Sequence, residues 1–274
     1  MSRIADCFAA LKQQKRGAFI PYLEANDPNY QTSLEILNAL PEAGADLIEV
    51  GMPFSDPMAD GPTVQAAAIR ALQAGATMQK TLQLVSEFRN DNQHTPIILM
   101  GYTNPVEYYG YEKFCQDAEK AGVDGLIIVD MPPEEIENIK PYAIKHQIDI
   151  IYLVAPTTSP DRLKLVLKEA SGFIYYVSIT GITGTSTASN DSLQKAIPMI
   201  REASDLPVAI GFGLSTPEHA ANAVKIADAA VVGSALLKTL TSTLDEKNQP
   251  TKDTVTKVIE HARLLAQGTH SVQK

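Results

Sequence analysis

The chain has no tryptophan, only two cysteines and few cations for its size. Across 274 residues, 23 Lys and Arg face 32 Asp and Glu, for a net charge of −9. That balance disfavours nucleic acid, which calls for a clustered basic face. The one basic cluster, Lys12, Lys15 and Arg16, reads as a solvated helix end. Cys7 and Cys115 are isolated and lack metal-ligand or CxxC spacing, which predicts a reducing cytoplasm, no disulfide framework and no zinc site. The N-terminus lacks the apolar core of a signal peptide, and no apolar run reaches membrane-spanning length. A soluble, cytoplasmic protein is expected.

What is present is a recurring alternation. Short β-rich apolar runs occupy 18–22, 47–50, 97–100, 125–129, 148–154, 173–178, 208–210 and 229–232. Between them lie amphipathic stretches at 30–41, 62–74, 78–90, 111–121, 133–146, 160–170, 191–203 and 217–226, with a last one at 253–266. An internal echo recurs just before strands: Ala43-Gly44-Ala45-Asp46, Ala121-Gly122-Val123-Asp124 and Ile226-Ala227-Asp228. Strands apolar on both faces and separated by helices imply a parallel sheet. Eight such units predict an α/β fold, a single-domain (β/α)8 TIM barrel with extra helices over residues 1–268. Residues 269–274 are expected to form a disordered tail. A doubly wound open sheet is the alternative, but the first strand runs into Glu24-Ala25-Asn26-Asp27-Pro28, with none of the glycines of a dinucleotide loop.

Function in such barrels collects at the C-terminal strand ends. No lysine ends a strand, which disfavours a Schiff-base aldolase. The histidines precede strands or lie on outer helices, so no metal site is expected. Carboxylates remain, and proton transfer is the leading chemistry. Glu49 lies in an apolar strand and shares a face with Leu47 and Gly51; Asp56 and Asp60 follow on the loop. A buried acid there is either an ion-pair partner or a proton donor and acceptor in a site. Glycines at the last two strands, Gly211, Gly213 and Gly233, with Ser234 opening a helix at 235–240, suggest a phosphate cradle. Gly181-Ile182-Thr183-Gly184 offers a further wall, and the Ser/Thr-rich segment 183–192 a mobile loop. Tyr22, Met100, Tyr102, Val129, Leu153, Tyr175 and Phe212 would make a flat apolar pocket beside it. Taken singly, each of them reads better as a residue of the barrel core.

The segment from Ile48 to Gly61, with its Pro53-Phe54-Ser55-Asp56-Pro57 and Ala59-Asp60-Gly61, resembles the alpha subunit of tryptophan synthase. Leu99 to Pro105, Asp130 to Glu135, Ala155-Pro156-Thr157-Thr158, Gly181 to Gly184 and Gly211-Phe212-Gly213 support the match. The resemblance implies retro-aldol cleavage of indole-3-glycerol phosphate to indole and glyceraldehyde 3-phosphate. It implies Glu49 as acid and base, and Asp60 as the carboxylate on the indole N–H. Tyr175 would lie near the glycerol part, Thr183 in a lid, and Gly184, Gly213, Gly233 and Ser234 at the phosphate. It further implies a beta subunit in an alpha2beta2 assembly, carrying pyridoxal phosphate that this chain lacks, and contacted through Pro53, Asp56 and Pro57. Asp56 is alternatively a turn former. Ile179 where arginine is common, Ala25-Asn26 before Asp27-Pro28, and Tyr22 where phenylalanine is common depart from the family pattern. Another phosphate-binding barrel isomerase or synthase, or a non-catalytic activator of a partner, remain the alternatives.

Overall fold

The computed structural model describes residues 2–177, 190–211 and 213–274. The chain opens with α1 (Arg3–Gln13), then β1 (Ala18–Glu24), α2 (Tyr30–Ala39), β2 (Ile48–Gly51), α3 (Pro62–Gln73) and α4 (Met78–Asp91). There follow β3 (Ile97–Gly101), α5 (Thr103–Tyr109), α6 (Tyr111–Ala121), β4 (Gly125–Ile128), a 3-10 segment (Pro133–Asn138) and α7 (Lys140–Lys145). The second half comprises β5 (Asp149–Ile150), β6 (Tyr152–Val154), α8 (Pro160–Glu169), β7 (Ile174–Val177), α9 (Asn190–Ala203) and β8 (Val208–Gly211). It ends with α10 (Pro217–Ile226), β9 (Ala229–Val232), α11 (Ser234–Ser242) and α12 (Thr254–His270).

All strand pairs are parallel, in the order β5-β4-β3-β2-β1-β9-β8-β7-β6. The two ends of that order, β5 and β6, are halves of one strand around Ile151. The first half pairs with β4 and the second with β7, so the expected fifth strand hands its pairing across and the sheet closes into a TIM barrel. The expected helix at 133–146 is divided, because Pro141 in the first turn of α7 lacks the N–H that a continuous helix needs.

Strand alternation sorts the core into two shells. Phe19, Ile48, Val50, Ile97 and Leu99 face outward into the helical layer. Ala18, Ile20, Leu47, Ile98, Ile127, Ala209, Ala229 and Val231 fill the barrel. The N-terminal end of that interior is stopped by α1, whose Ile4, Phe8 and Leu11 recur on one helical face and join the inner cluster. Phe8 meets Phe173 with ring centroids 5.9 Å apart. The closed floor leaves the opposite, C-terminal end for chemistry.

The internal echo has a structural purpose. Gly44 and Gly122 adopt φ of 104° and 88°, a conformation open to glycine; Gly122 caps α6, and Gly44 lies in the turn after α2. The aspartate that follows accepts an N–H from the start of a neighbouring strand: Asp46 from Phe19 at 2.9 Å, Asp124 from Ile97 at 2.8 Å, and Asp228 from Val208 at 2.9 Å. Each also binds cations. Arg16 holds Asp46 at 2.7 and 2.9 Å, Arg3 and Arg89 hold Asp124 at 2.8 and 2.7 Å, and Arg201 reaches Asp228 at 3.1 Å.

Residues 269–274 differ from the expected disordered tail. α12 continues through His270, whose Nε2 lies 2.9 Å from Asp46, and Gln273 bridges Arg16. The Lys274 N–H donates to the Lys15 carbonyl at 2.8 Å, and its ammonium lies 3.2 Å from Asp228. A basic end meets acids at the barrel floor, which the composition of the tail alone does not reveal.

Candidate active site

Alternation carries from the core up to the mouth, so the inward series of each strand ends in the site. On β1 that series gives Tyr22 and Glu24; on β2, Glu49 and Gly51; on β3, Met100; on β6, Leu153; on β7, Tyr175; on β8, Gly211. Val129 and Gly233 stand one residue beyond β4 and β9. Tyr22 and Glu49 are register partners on adjacent strands, as are Leu153 and Tyr175.

Glu49 is 2 % exposed, and its Oε1 has no hydrogen-bond partner among the described residues. An ion-pair role would bring a cation to it, and no ion pair among the described residues includes it. Burial, followed by the negative charge of Asp60, pushes its carboxyl up to about 8. Such an acid keeps its proton at neutral pH and can donate it. An orphaned buried carboxyl oxygen is costly and fits a group placed for substrate.

Asp60 is positioned by its loop. Met52 N–H donates to Met100 O at 2.7 Å, Asp60 N–H to Pro57 O at 3.0 Å, and the Gln65 amide to Asp60 O at 2.7 Å. The Tyr102 hydroxyl accepts from the N–H of Ala59, next to Asp60 in sequence, at 3.1 Å. Burial raises Asp60 to about 6, and the Tyr102 hydroxyl works against that rise. Phe54 leans on Tyr102 with centroids 5.7 Å apart. These side chains line a small pocket of about 10 Å³ together with Tyr22, Glu24, Met52 and Met100. Thr103, opening α5, donates through its N–H and hydroxyl to Asp130 at 2.7 and 2.9 Å, tying the third and fourth loops together.

On the other side of β1, Gly233 and Ser234 form the N-terminus of the nine-residue α11, where backbone N–H groups point outward. Gly213 has φ of 77°, which favours glycine. At Gly211 the missing side chain serves a neighbour: a Cβ there would collide with the Tyr175 ring. Thr183, Gly184, Phe212 and Ile179 lie outside the described residues.

Pro53 and Pro57 flank Asp56 on an outward loop, with Asp56 exposed and Met58 78 % exposed. Asn26 occupies φ of 67°, a left-handed conformation that asparagine tolerates, so the first loop turns without a glycine. Beside it, Asp27 receives two bonds of 2.8 Å from Arg70, both side chains buried. Sequence reasoning assigned no role to Glu24. It is 3 % exposed, accepts the Tyr22 hydroxyl, and is raised to about 8 by burial, against the Tyr22 bond and with the Asp60 charge. Its even spacing from Tyr22 was the available signal.

A closed parallel barrel with protonatable carboxyls at its mouth and a helix N-terminus beside them defines an acid–base enzyme of the (β/α)8 class. The family model for the tryptophan synthase alpha chain matches residues 8–267. The alpha chain of Gluconacetobacter diazotrophicus is 59 % identical over 273 residues, covering all of both chains, and that of Gluconobacter oxydans 61 % over 266, covering 97 % of this chain and 98 % of its own. The crystal structure of tryptophan synthase subunit alpha from Legionella pneumophila superposes with TM-score 0.90 at 35 % identity, over 99 % of this chain and 100 % of that one. The aminoacrylate-bound tryptophan synthase of M. tuberculosis gives 0.86 at 31 %, over 98 % and 100 %. The chain belongs to the tryptophan synthase alpha chain family. It is a lyase that cleaves indole-3-glycerol phosphate to indole and glyceraldehyde 3-phosphate in tryptophan biosynthesis.

Proposed function

We propose that Glu49 and Asp60 carry this cleavage. Glu49, protonated at neutral pH, delivers a proton to the indole C3, leaving an iminium within the ring. Asp60, ionised, accepts the ring N–H and offsets the positive charge that develops there. The resulting Glu49 carboxylate then takes the proton of the adjacent side-chain hydroxyl. The carbon–carbon bond breaks, its electrons flow into the iminium, and indole and the aldehyde separate. No Schiff base is needed, because the protonated ring is the electron sink. The observation that carries this assignment is the buried, unpartnered Oε1 of Glu49, an acid raised to about 8 above an apolar barrel. Indole release by Asp60→Asn and Glu49→Gln chains tests it; wild-type rates from either would sink that residue's role.

Tyr22, Met100, Tyr102, Val129, Leu153, Tyr175 and Phe212 are read as binding the ring and glycerol chain, with Thr183 as a further substrate-binding residue. Gly184, Gly211, Gly213, Gly233 and Ser234 are read as the phosphate site, and the start of α11, which no side chain caps among the described residues, supports that reading. The Pro53–Asp56–Pro57 loop, with exposed Met58 at its tip, is assigned to contact with a beta subunit in an alpha2beta2 assembly. Pyridoxal phosphate belongs to that partner. No described helix is long and apolar enough to cross a membrane; the cytoplasm is the assigned location.

A further inference from the structure

The pocket that Asp60 lines holds a second carboxyl, which the cleavage does not use. Glu24 ends the inward series of β1, sits 3 % exposed and lines the same pocket as Asp60. The Tyr22 hydroxyl hydrogen-bonds its Oε2. The pair occupies space that the neighbouring strand leaves open, since a Cβ on Gly51 would collide with both Tyr22 Oη and Glu24 Oε2. The other end of the tyrosine is braced as well. A Cβ on Gly233 would lie 3.3 Å from Tyr22 Cβ, so the base of Tyr22 packs on the backbone that opens α11. Val64, Ala67 and Leu237 close around the ring from α3 and α11. Tyr22 therefore runs from the phosphate side to the carboxylate side, and its far tip is fastened to Glu24.

We propose that Glu24 is a positioning residue for this reaction: by accepting the Tyr22 hydroxyl it locks the tyrosine as a strut between the phosphate end and the ring end, and so sets substrate affinity. The inference rests on the lyase reading of the pocket. A buried hydroxyl held by a carboxyl is costly to release, because whichever partner remains is left unsatisfied away from water. Without Glu24 the ring has no polar tie at its tip and turns from the wall it forms. A purely apolar phenylalanine wall would need no such acid, and burying one is costly.

The test measures kcat and KM for indole-3-glycerol phosphate by indole release, with the full chain and its beta partner, alongside thermal melting. Tyr22→Phe and Glu24→Leu are expected to raise KM about tenfold with kcat changed less than about threefold, the loss of one buried hydrogen bond. Glu24→Gln, which keeps an acceptor of the same shape, recovers most of the affinity. The double variant Tyr22→Phe/Glu24→Leu, in which neither group is stranded, binds better than the two single effects multiplied together. Lowered melting with unchanged KM in the folded single variants would overturn the proposal, as would strictly multiplicative effects in the double variant. The conservative Tyr22→Phe and Glu24→Gln chains keep the test available if Glu24→Leu does not fold. Failure of the wild-type chain to release indole would instead contradict the lyase reading itself.

Discussion

Tyr22 and Glu49 are register partners on adjacent parallel strands, and both point into the barrel mouth. The pairing fixes an aromatic wall beside the proton donor without relying on a loop. Parallel register and period-two alternation, both set by the apolar pattern of β1 and β2, place the acid against the surface on which a flat substrate would lie.

Opposite ionisation states of two acids give the reaction a pH window. Asp60, at about 6, must be ionised to hold the ring nitrogen, so kcat/KM rises as pH passes about 6. Glu49, at about 8, must be protonated to donate, so the rate falls as pH passes about 8. A bell with those two limbs is expected from the pH profile of indole release. A rate that keeps climbing to pH 10 would exclude a protonated Glu49 as the donor.

The acid that serves catalysis weakens the fold at neutral pH. Glu49 is raised from 4.5 to about 8 by burial and by Asp60, so between those values the folded state keeps a proton that the unfolded chain has lost. Stability is therefore highest below about 4.5 as far as this group is concerned, and declines as pH rises toward about 8. Glu49→Gln removes that decline. Its melting temperature should exceed that of the wild type by several degrees at pH 8 and match it near pH 4. Equal melting at both values would show that Glu49 ionises freely in the fold.

Gly51 is required for what it lacks. Gly51→Ala would drive a methyl group into Tyr22 Oη and Glu24 Oε2, and Tyr22 is backed by Gly233. Overpacking of this kind costs about 1–3 kcal/mol. Melting should fall by several degrees and kcat/KM by more than about tenfold, with Glu49 itself untouched.

The barrel floor depends on aspartates of the repeated motif. Asp124 is 4 % exposed and joins Arg3, Arg89 and the Ile97 N–H. Asp124→Ala strands the buried Arg89 and costs about 3–5 kcal/mol. Calorimetry should show melting lowered by roughly ten degrees. At Asp46 and Asp228, burial alone would raise the carboxyls. At Asp46, His270, Arg16 and the Phe19 N–H hold the carboxyl below its usual range; at Asp228, the Val208 N–H, Lys274 and Arg201 do so. Their contribution is present above about 4 and lost as pH falls below it, which predicts an acid-unfolding limb at low pH.

Much of this was legible in the chain because it depends on local periodicity. Alternation around Glu49 predicted its inward face, and the eight apolar runs predicted the barrel. The division of the fifth strand at Ile151 was not visible, because transfer of pairing between neighbours leaves no mark on an apolar run. The plug formed by α1 escaped notice because its buried stripe is short and ends in basic residues that look solvated. Glu24 stood in plain sight at a strand end, yet its role depends on Gly51 and Gly233, which lie far away in sequence. Likewise, nothing in the sequence showed that a Cβ on Gly211 would collide with the ring of Tyr175, which comes from a different strand.

The central claim is that Glu49 moves the protons of the cleavage, and single-turnover indole release from indole-3-glycerol phosphate tests it most directly. The account predicts that a folded Glu49→Gln chain, saturated with its beta partner, loses at least about a hundredfold in rate while still binding substrate, the scale of a missing general acid–base. A folded variant that releases indole at the wild-type rate would contradict it.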